Sequence, residues 1–234
     1  AVLDRTGDVR PLVSSTQGIY QAGTRHLSRM ALRIGGTRPL LLSSTVREDN
    51  GALVVDLTNS DIHVDGGLIP RGTIHVFRTQ FLWSATCYEH MRVTNHGLCR
   101  VEVTFQLRLG ADFADVFEVR GATRDRRGKM LPPEVREDGL VLRYEGLDRR
   151  VRATCVACEP KPESVEADGL HHRVVLEPHE ETTLSFTYDF RGEGPDLTAL
   201  PSRLAAQGHA NEELRCAREG GCSILSSNEQ FNAW

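Results

Sequence analysis

"RVEVTFQLRLG", residues 100–110, sets Val101, Val103, Phe105, Leu107 and Leu109 in alternation with Glu102, Thr104, Gln106 and Arg108. Successive side chains of an extended chain point to opposite faces, so one face here is apolar and the other polar. That is a strand with one side on a core and the other toward water or a neighbouring domain. The same period of two recurs on both sides. In "SRMALRIGG", residues 28–36, Met30, Leu32 and Ile34 share a face opposite Arg29, Ala31 and Arg33, and two glycines then permit a tight turn. "ALVVDLTN" (52–59) follows the turn signal "EDNG", and residues 72–97 read as two long strands ending in "TNHG". Further strands are expected at "GLVLRYEG" (139–146), "RRVRATCVACEP" (149–160) and "TTLSFTYDFRG" (182–192), where Leu184, Phe186, Tyr188 and Phe190 share a face. Strands joined by turns, without βαβ alternation, point to an all-β fold, a large antiparallel β-sandwich (supersandwich).

The character changes near residue 191. "RGEGPDLTALPS" (191–202) carries Gly and Pro punctuation, and "RLAAQGHANEELRCA" (203–217) is rich in helix formers. Ser226 and Glu229 in "SSNEQFNAW" have capping-box spacing, which starts a second helix just before Trp234. The expected organisation is a sandwich over residues 1–191 and a linker with a short C-terminal helical segment over 192–234.

At 234 residues and 39% hydrophobic, the chain can bury a substantial core. Charged residues make up 26%, signs are interspersed and the formal net charge is -4, which argues against nucleic acid or an anionic membrane as partner. "RDRRGK" (124–129) lacks the interleaved aromatics of a nucleic-acid patch. No apolar run approaches a bilayer span, and "AVLDRTGDVR" (1–10) lacks the apolar segment of a signal peptide, so a cytoplasmic location is expected. Cys87, Cys99, Cys155, Cys158, Cys216 and Cys222 are expected as thiols, because a core of this size needs no disulfide staples. Cys155 and Cys158 have the spacing of a metal knuckle or redox pair but no matching second pair, so they read as core thiols. His171 and His172 are adjacent and point to opposite faces of a strand, a poor metal pair. Trp83 and Tyr88 read as sheet packing rather than a sugar platform. Neither a cofactor nor a metal is expected.

The densest charge lies in "GADFADVFEVRGATRDRRG", residues 110–128. Asp112, Asp115 and Glu118 interleave with Arg120, Arg124, Arg126 and Arg127. Several acids in one stretch invite a reading as a general acid–base pair, in which one carboxyl group must hold its proton near neutral pH. These acids are poor candidates, because cationic neighbours hold carboxylates ionised whereas a general acid needs a raised pKa. One reading is a braced corner, anchored by Phe113, Val116 and Phe117 and tied by ion pairs. The other is a projection whose Arg forks and carboxylates hydrogen-bond sugar hydroxyls.

The run "QGIYQAGTRHLSRMALRIGGTRPLLLSS" (17–44), then "VDLTN", "ADFADVFEVRG", "RRG" and "YEGLD", resembles the N-terminal domain of bacterial glycogen debranching enzymes of the amylo-α-1,6-glucosidase kind. The resemblance covers about residues 1–190, and "FADVFEVRG" is its most specific element. It implies a β-sandwich joined to a helical (α/α)6 barrel that carries the hydrolytic acid and base. "LSSNEQFNAW" resembles the start of that barrel. This chain is then expected to be a non-catalytic domain that supports and partly walls the α-glucan cleft of a missing helical domain. Arg25, His26, Asp112, Asp115, Glu118, Arg120, Arg124 and Arg126 are the candidate substrate-binding or interdomain residues, with no catalytic residue among them. Where the family usually has Asp-Thr-Arg, this chain has Gly23-Thr24-Arg25. The alternatives are a stand-alone carbohydrate-binding module, which needs a concave aromatic face, and an oligomerisation module, which needs a large apolar patch. An apolar face left bare would also favour a homodimer.

Overall fold

The computed structural model describes residues 1–10, 16–47, 50–64, 67–192, 200–219 and 226–227. Along the chain run β1 (Ile19–Gln21), β2 (Thr24–Leu27), β3 (Arg29–Ile34), β4 (Leu40–Val46), β5 (Leu53–Thr58), β6 (Ile62–Val64), β7 (Gly67–Ile69), β8 (Ile74–Trp83), β9 (Thr86–Asn95) and β10 (Val101–Gly110). After a single helical turn, α1 (Val116–Val119), come β11 (Lys129–Arg136), β12 (Gly139–Glu145), β13 (Val151–Glu159), β14 (Ser164–Glu166), β15 (Gly169–Leu176), β16 (Glu181–Asp189) and α2 (Arg203–Glu219).

An eight-stranded antiparallel sheet, in the order β11-β12-β13-β16-β9-β8-β5-β4, shares one apolar core with a four-stranded sheet, β14-β15-β10-β3. The alternation read from β10 holds: Val101, Val103, Phe105, Leu107 and Leu109 are buried while Glu102 and Thr104 are exposed. Met30, Leu32 and Ile34 of β3 join them from the same sheet. Leu184, Phe186 and Tyr188 of β16 and Val76 of β8 come from the other. Each such side chain contributes roughly 1.5–3 kcal/mol by leaving water. One edge of the large sheet, β11, contains Pro132 and Pro133 at a register shift between Leu131 and Glu134. Proline is tolerated there because an edge strand has one row of N–H groups without ladder partners. β8 and β9 are joined by Ser84 and Ala85, both with positive φ (47° and 56°), the backbone of a type I′ hairpin.

A charged cluster crosses the core. Arg78 of β8 is fully buried and donates to Asp8 Oδ1 (2.7 Å), Glu89 Oε1 (2.6 Å) and the Thr6 carbonyl (2.7 Å). Tyr188 donates its hydroxyl proton to Glu89 Oε2 at 2.6 Å. Although burial disfavours a bare guanidinium, Glu89 and Asp8 raise the Arg78 pKa, so it stays charged. The N-terminal segment, bridged to β3 through Val9 and Met30, is thereby tied to β8 and β9.

The cysteines at 87, 99, 155, 158 and 216 are free thiols; Cys222 lies outside the described residues. Cys158 joins the main core, whereas Cys155 packs with Val141 and Ala153, so the two thiols lie on opposite faces of β13. Burial pushes both thiols up to about 12. Residues 201–234 form a separate unit. Its helix α2 begins after Ser202, whose Oγ accepts the Ala205 N–H. Glu229 of the expected capping box and the barrel-like tail lie outside the described residues. Among the described residues no helix is long and apolar enough to cross a membrane.

Candidate functional site

The site is the corner that follows β10. Phe113 sits there in the left-handed region (φ 48°), with its ring buried between His26 (centroids 5.3 Å) and Tyr144 (5.6 Å, nearly parallel). Asp112 and Asp115 flank it in the sequence, and both are partly exposed. Asp115 caps α1: its Oδ1 accepts the N–H groups of Phe117 (2.8 Å) and Glu118 (3.0 Å), and Glu118 Oε2 accepts the Asp115 N–H (2.9 Å). This is a complete capping box. The β1–β2 hairpin docks on it, with Arg25 N–H donating to the Ala114 carbonyl (2.8 Å) and Val116 N–H to the Gly23 carbonyl (2.9 Å). Ala22 and Gly23 form that hairpin's turn with φ of 47° and 78°, and a Cβ at Gly23 would meet open space. The glycine suits the positive φ, which a residue with a Cβ holds less easily.

Asp112 and Asp115 are each held by an arginine fork, and Glu118 by a single arginine nitrogen. Arg25 grips Asp112 with Nε (3.1 Å) and Nη2. Arg124 grips Asp115 Oδ2 with Nε (3.0 Å) and Nη2 (2.5 Å). Arg127 Nε lies 3.0 Å from Glu118 Oε1, and its Nη2 donates to the Asp112 carbonyl (2.7 Å). Desolvation pulls the Asp115 carboxyl up, but the Glu118 and Phe117 N–H groups and Arg124 outweigh it and hold the group below its ordinary value. Across the way, Arg152 forks Asp148, whose carboxyl it lowers to about 2.

An open cleft lies between these pairs, lined by Thr24, Phe113, Asp115, Glu118, Arg124, Arg126, Arg127, Tyr144, Gly146, Leu147, Asp148 and Arg152. Gly128 N–H donates to the Tyr144 hydroxyl (2.7 Å), and a Cβ at Gly128 would fall 2.0 Å from the Glu145 carbonyl oxygen, so only glycine lets the loop pack this closely on β12. The Tyr144 ring has Phe113 on one side and the Arg127 guanidinium 6.0 Å from its centroid.

The structure thus gathers Arg25, Asp112, Asp115, Glu118, Arg124 and Arg126 at one corner. Arg120 is exposed, lies off the cleft, and its side chain has no ion pair among the described residues. Two expectations are corrected. His26 cannot reach a substrate: it is buried against Phe113 and Phe190, with Nδ1 3.2 Å from the Ala153 carbonyl. Phe117 does not anchor the bend, because the single turn of α1 points it outward, 62% exposed; Phe113 and Ala114 are the buried residues. Sequence reasoning missed Thr24, Tyr144, Asp148 and Arg152. For the last three the signal was the "EDG" turn at residues 137–139, which folds β12 back on β11, whereas Thr24 arrives through its bridge to Asp115. His171 and His172 do part to opposite faces, one beside Gln106 and the other against Phe186. Tyr88 is buried and stacked on Phe81. No group of three metal-ligating side chains occurs among the described residues.

The family model described as the N-terminal domain of some glycogen debranching enzymes matches residues 1–187. No curated protein matches the chain. Among solved structures, a "putative kojibiose phosphorylase from human microbiome" aligns with a TM-score of 0.49 and 10% identity over 88% of this chain and 29% of its own. The chain therefore spans under a third of that protein's length. A "putative aldose 1-epimerase" from Escherichia coli K12 aligns with a TM-score of 0.36 and 9% identity, over 67% of this chain and 69% of its own. A polysaccharide lyase aligns with 0.35 and 9%, over 72% of this chain and 26% of its own.

Proposed function

The chain belongs to the family of N-terminal domains of glycogen debranching enzymes, and we propose from that premise that it is a non-catalytic support for an α-glucan hydrolase. In this reading residues 1–191 are the sandwich, 192–234 lead into a helical catalytic domain, and the corner after β10 forms part of the wall of that domain's substrate cleft. The observation that carries it is the state of the cleft's carboxyl groups. Asp115, Glu118 and Asp148 are each tied to an arginine, and Asp115 and Asp148 are held below their ordinary pKa. Asp115 and Asp148 are therefore poorly suited to act as proton donors, which need a raised pKa. The same pairs present fixed carboxylate and guanidinium edges, which suit the vicinal hydroxyls of a neutral sugar. The partners this reading requires are the α-glucan and the helical domain.

The test is release of reducing sugar from a branched α-glucan by the 234-residue chain, together with binding of maltohexaose. The chain releases none, and Arg124→Ala weakens glucan affinity at least threefold in a polypeptide that joins the domain to its helical partner. Hydrolysis by the chain alone would overturn the reading.

A further inference from the structure

Two arginine-rich loops meet at one end of the eight-stranded sheet. Lys129 of β11 pairs with Glu145 of β12, so the loop before β11 and the loop between β12 and β13 lie side by side. The first carries Arg124, Arg126 and Arg127; the second carries Arg149 and Arg150 and leads into Arg152. Arg124, Arg126, Arg127 and Arg152 line the cleft.

The acids beside them are already engaged. Asp115 and Glu118 close the capping box around α1 and are held by Arg124 and Arg127. Asp148 accepts the Arg150 N–H (3.1 Å) as well as the Arg152 fork. Arg126, Arg149 and Arg150 are exposed, and their side chains have no ion pair among the described residues; the same is true of Asp125 and Glu145. Arg149 also holds a left-handed backbone (φ 61°) in the tight turn closed by Gly146 and Arg150. Strain of this kind in a non-glycine residue concentrates at ligand clamps. The result is a local excess of guanidinium groups over carboxylates, with Arg126 uncommitted in the cleft and Arg149 and Arg150 uncommitted in the adjoining loop, in a chain whose net charge is -4. Guanidinium forks match the oxygens of a phosphoryl group in geometry and charge.

We infer that this cleft binds a phosphoryl oxyanion, carried either by inorganic phosphate or by a phosphate ester on a sugar. The inference does not rest on the glucan reading, since it concerns an anion rather than a neutral chain. The experiment is calorimetric titration of the 234-residue chain at low ionic strength with inorganic phosphate, glucose 6-phosphate, maltohexaose and a single-stranded DNA oligonucleotide. Phosphate or glucose 6-phosphate binds, added salt weakens the binding, and Arg126→Ala weakens it roughly tenfold, as expected for a hydrogen-bonded charge. Arg126, Arg149 and Arg150 hold no structural ion pair, so the triple alanine variant keeps its melting temperature and loses the site. Tighter binding of glucose 6-phosphate than of phosphate assigns the ester, and equal binding assigns the free ion. The inference falls if neither binds, or if the triple variant binds as the parent does. It also falls if the oligonucleotide binds far more tightly than either, which would make the patch a polyanion surface. Maltohexaose binding without phosphate binding would sink this inference and leave the glucan reading standing.

Discussion

Arg78 is wholly enclosed, yet it is the residue on which the N-terminal segment hangs. Its partners Asp8 and Glu89 are as buried as it is, so removing the guanidinium leaves two carboxylates in the core with nothing to balance them. Arg78→Met should lower stability by about 3–5 kcal/mol in urea unfolding, and a loss under 1 kcal/mol would mean the cluster is weakly coupled. His26 makes the opposite kind of demand. Desolvation lowers its pKa to about 4 from an ordinary 6.5, with the Ala153 carbonyl opposing. Between those values the unfolded chain takes up a proton that the folded chain refuses. Stability therefore falls as pH drops from 6.5 toward 4, by up to about 3 kcal/mol for this group. Denaturant titrations at pH 7 and pH 4.5 should show a smaller pH difference in His26→Gln than in the parent. An unchanged difference would assign the acid lability to other groups.

At the scale of the elements, alternation made the long strands legible and irregularity hid the rest. β3, β5, β10 and β16 carry a clean apolar face, which an extended backbone turns directly into a core face, while β8 and β9 alternate but set Arg78 and Glu89 among their core-facing residues. β11 escaped notice because Pro132 and Pro133 read as a break, whereas an edge strand accepts them. β4 escaped because "LLLSSTV" does not alternate. The acids of the corner were legible as ion-pair partners, but Arg25 as the partner of Asp112 was not, since the two stand 87 residues apart. Tyr144 and Asp148 depended likewise on knowing that β11 and β12 pair. The hairpin between β8 and β9 offers a test of local strain. Ala85 holds a φ of 56° that glycine adopts freely, so Ala85→Gly should leave stability unchanged or raise it by up to about 1 kcal/mol. A clear loss in thermal unfolding would show that the Ala85 methyl contributes packing that outweighs the strain.

For the whole molecule, the two sheets make a rigid frame that delivers one charged corner and one cleft to the end of β10, β11 and β12. Residue patterning gave the sandwich, while the cleft came from strand pairing that no single stretch encodes. Under the proposed function the frame's contribution is geometric: Asp115, Glu118 and Asp148 of the cleft are each ion-paired to an arginine. The most direct measurement is therefore the KM and kcat of a polypeptide joining this domain to the helical catalytic domain proposed above, on a branched α-glucan, with Asp115→Asn against the parent. The substitution keeps an N-capping side chain but loses the charge that Arg124 grips. A KM raised at least threefold with kcat nearly unchanged is the expected result. A KM and kcat both unchanged, with Asp115→Asn confirmed to have released Arg124, would show that the corner plays no part in holding the glucan.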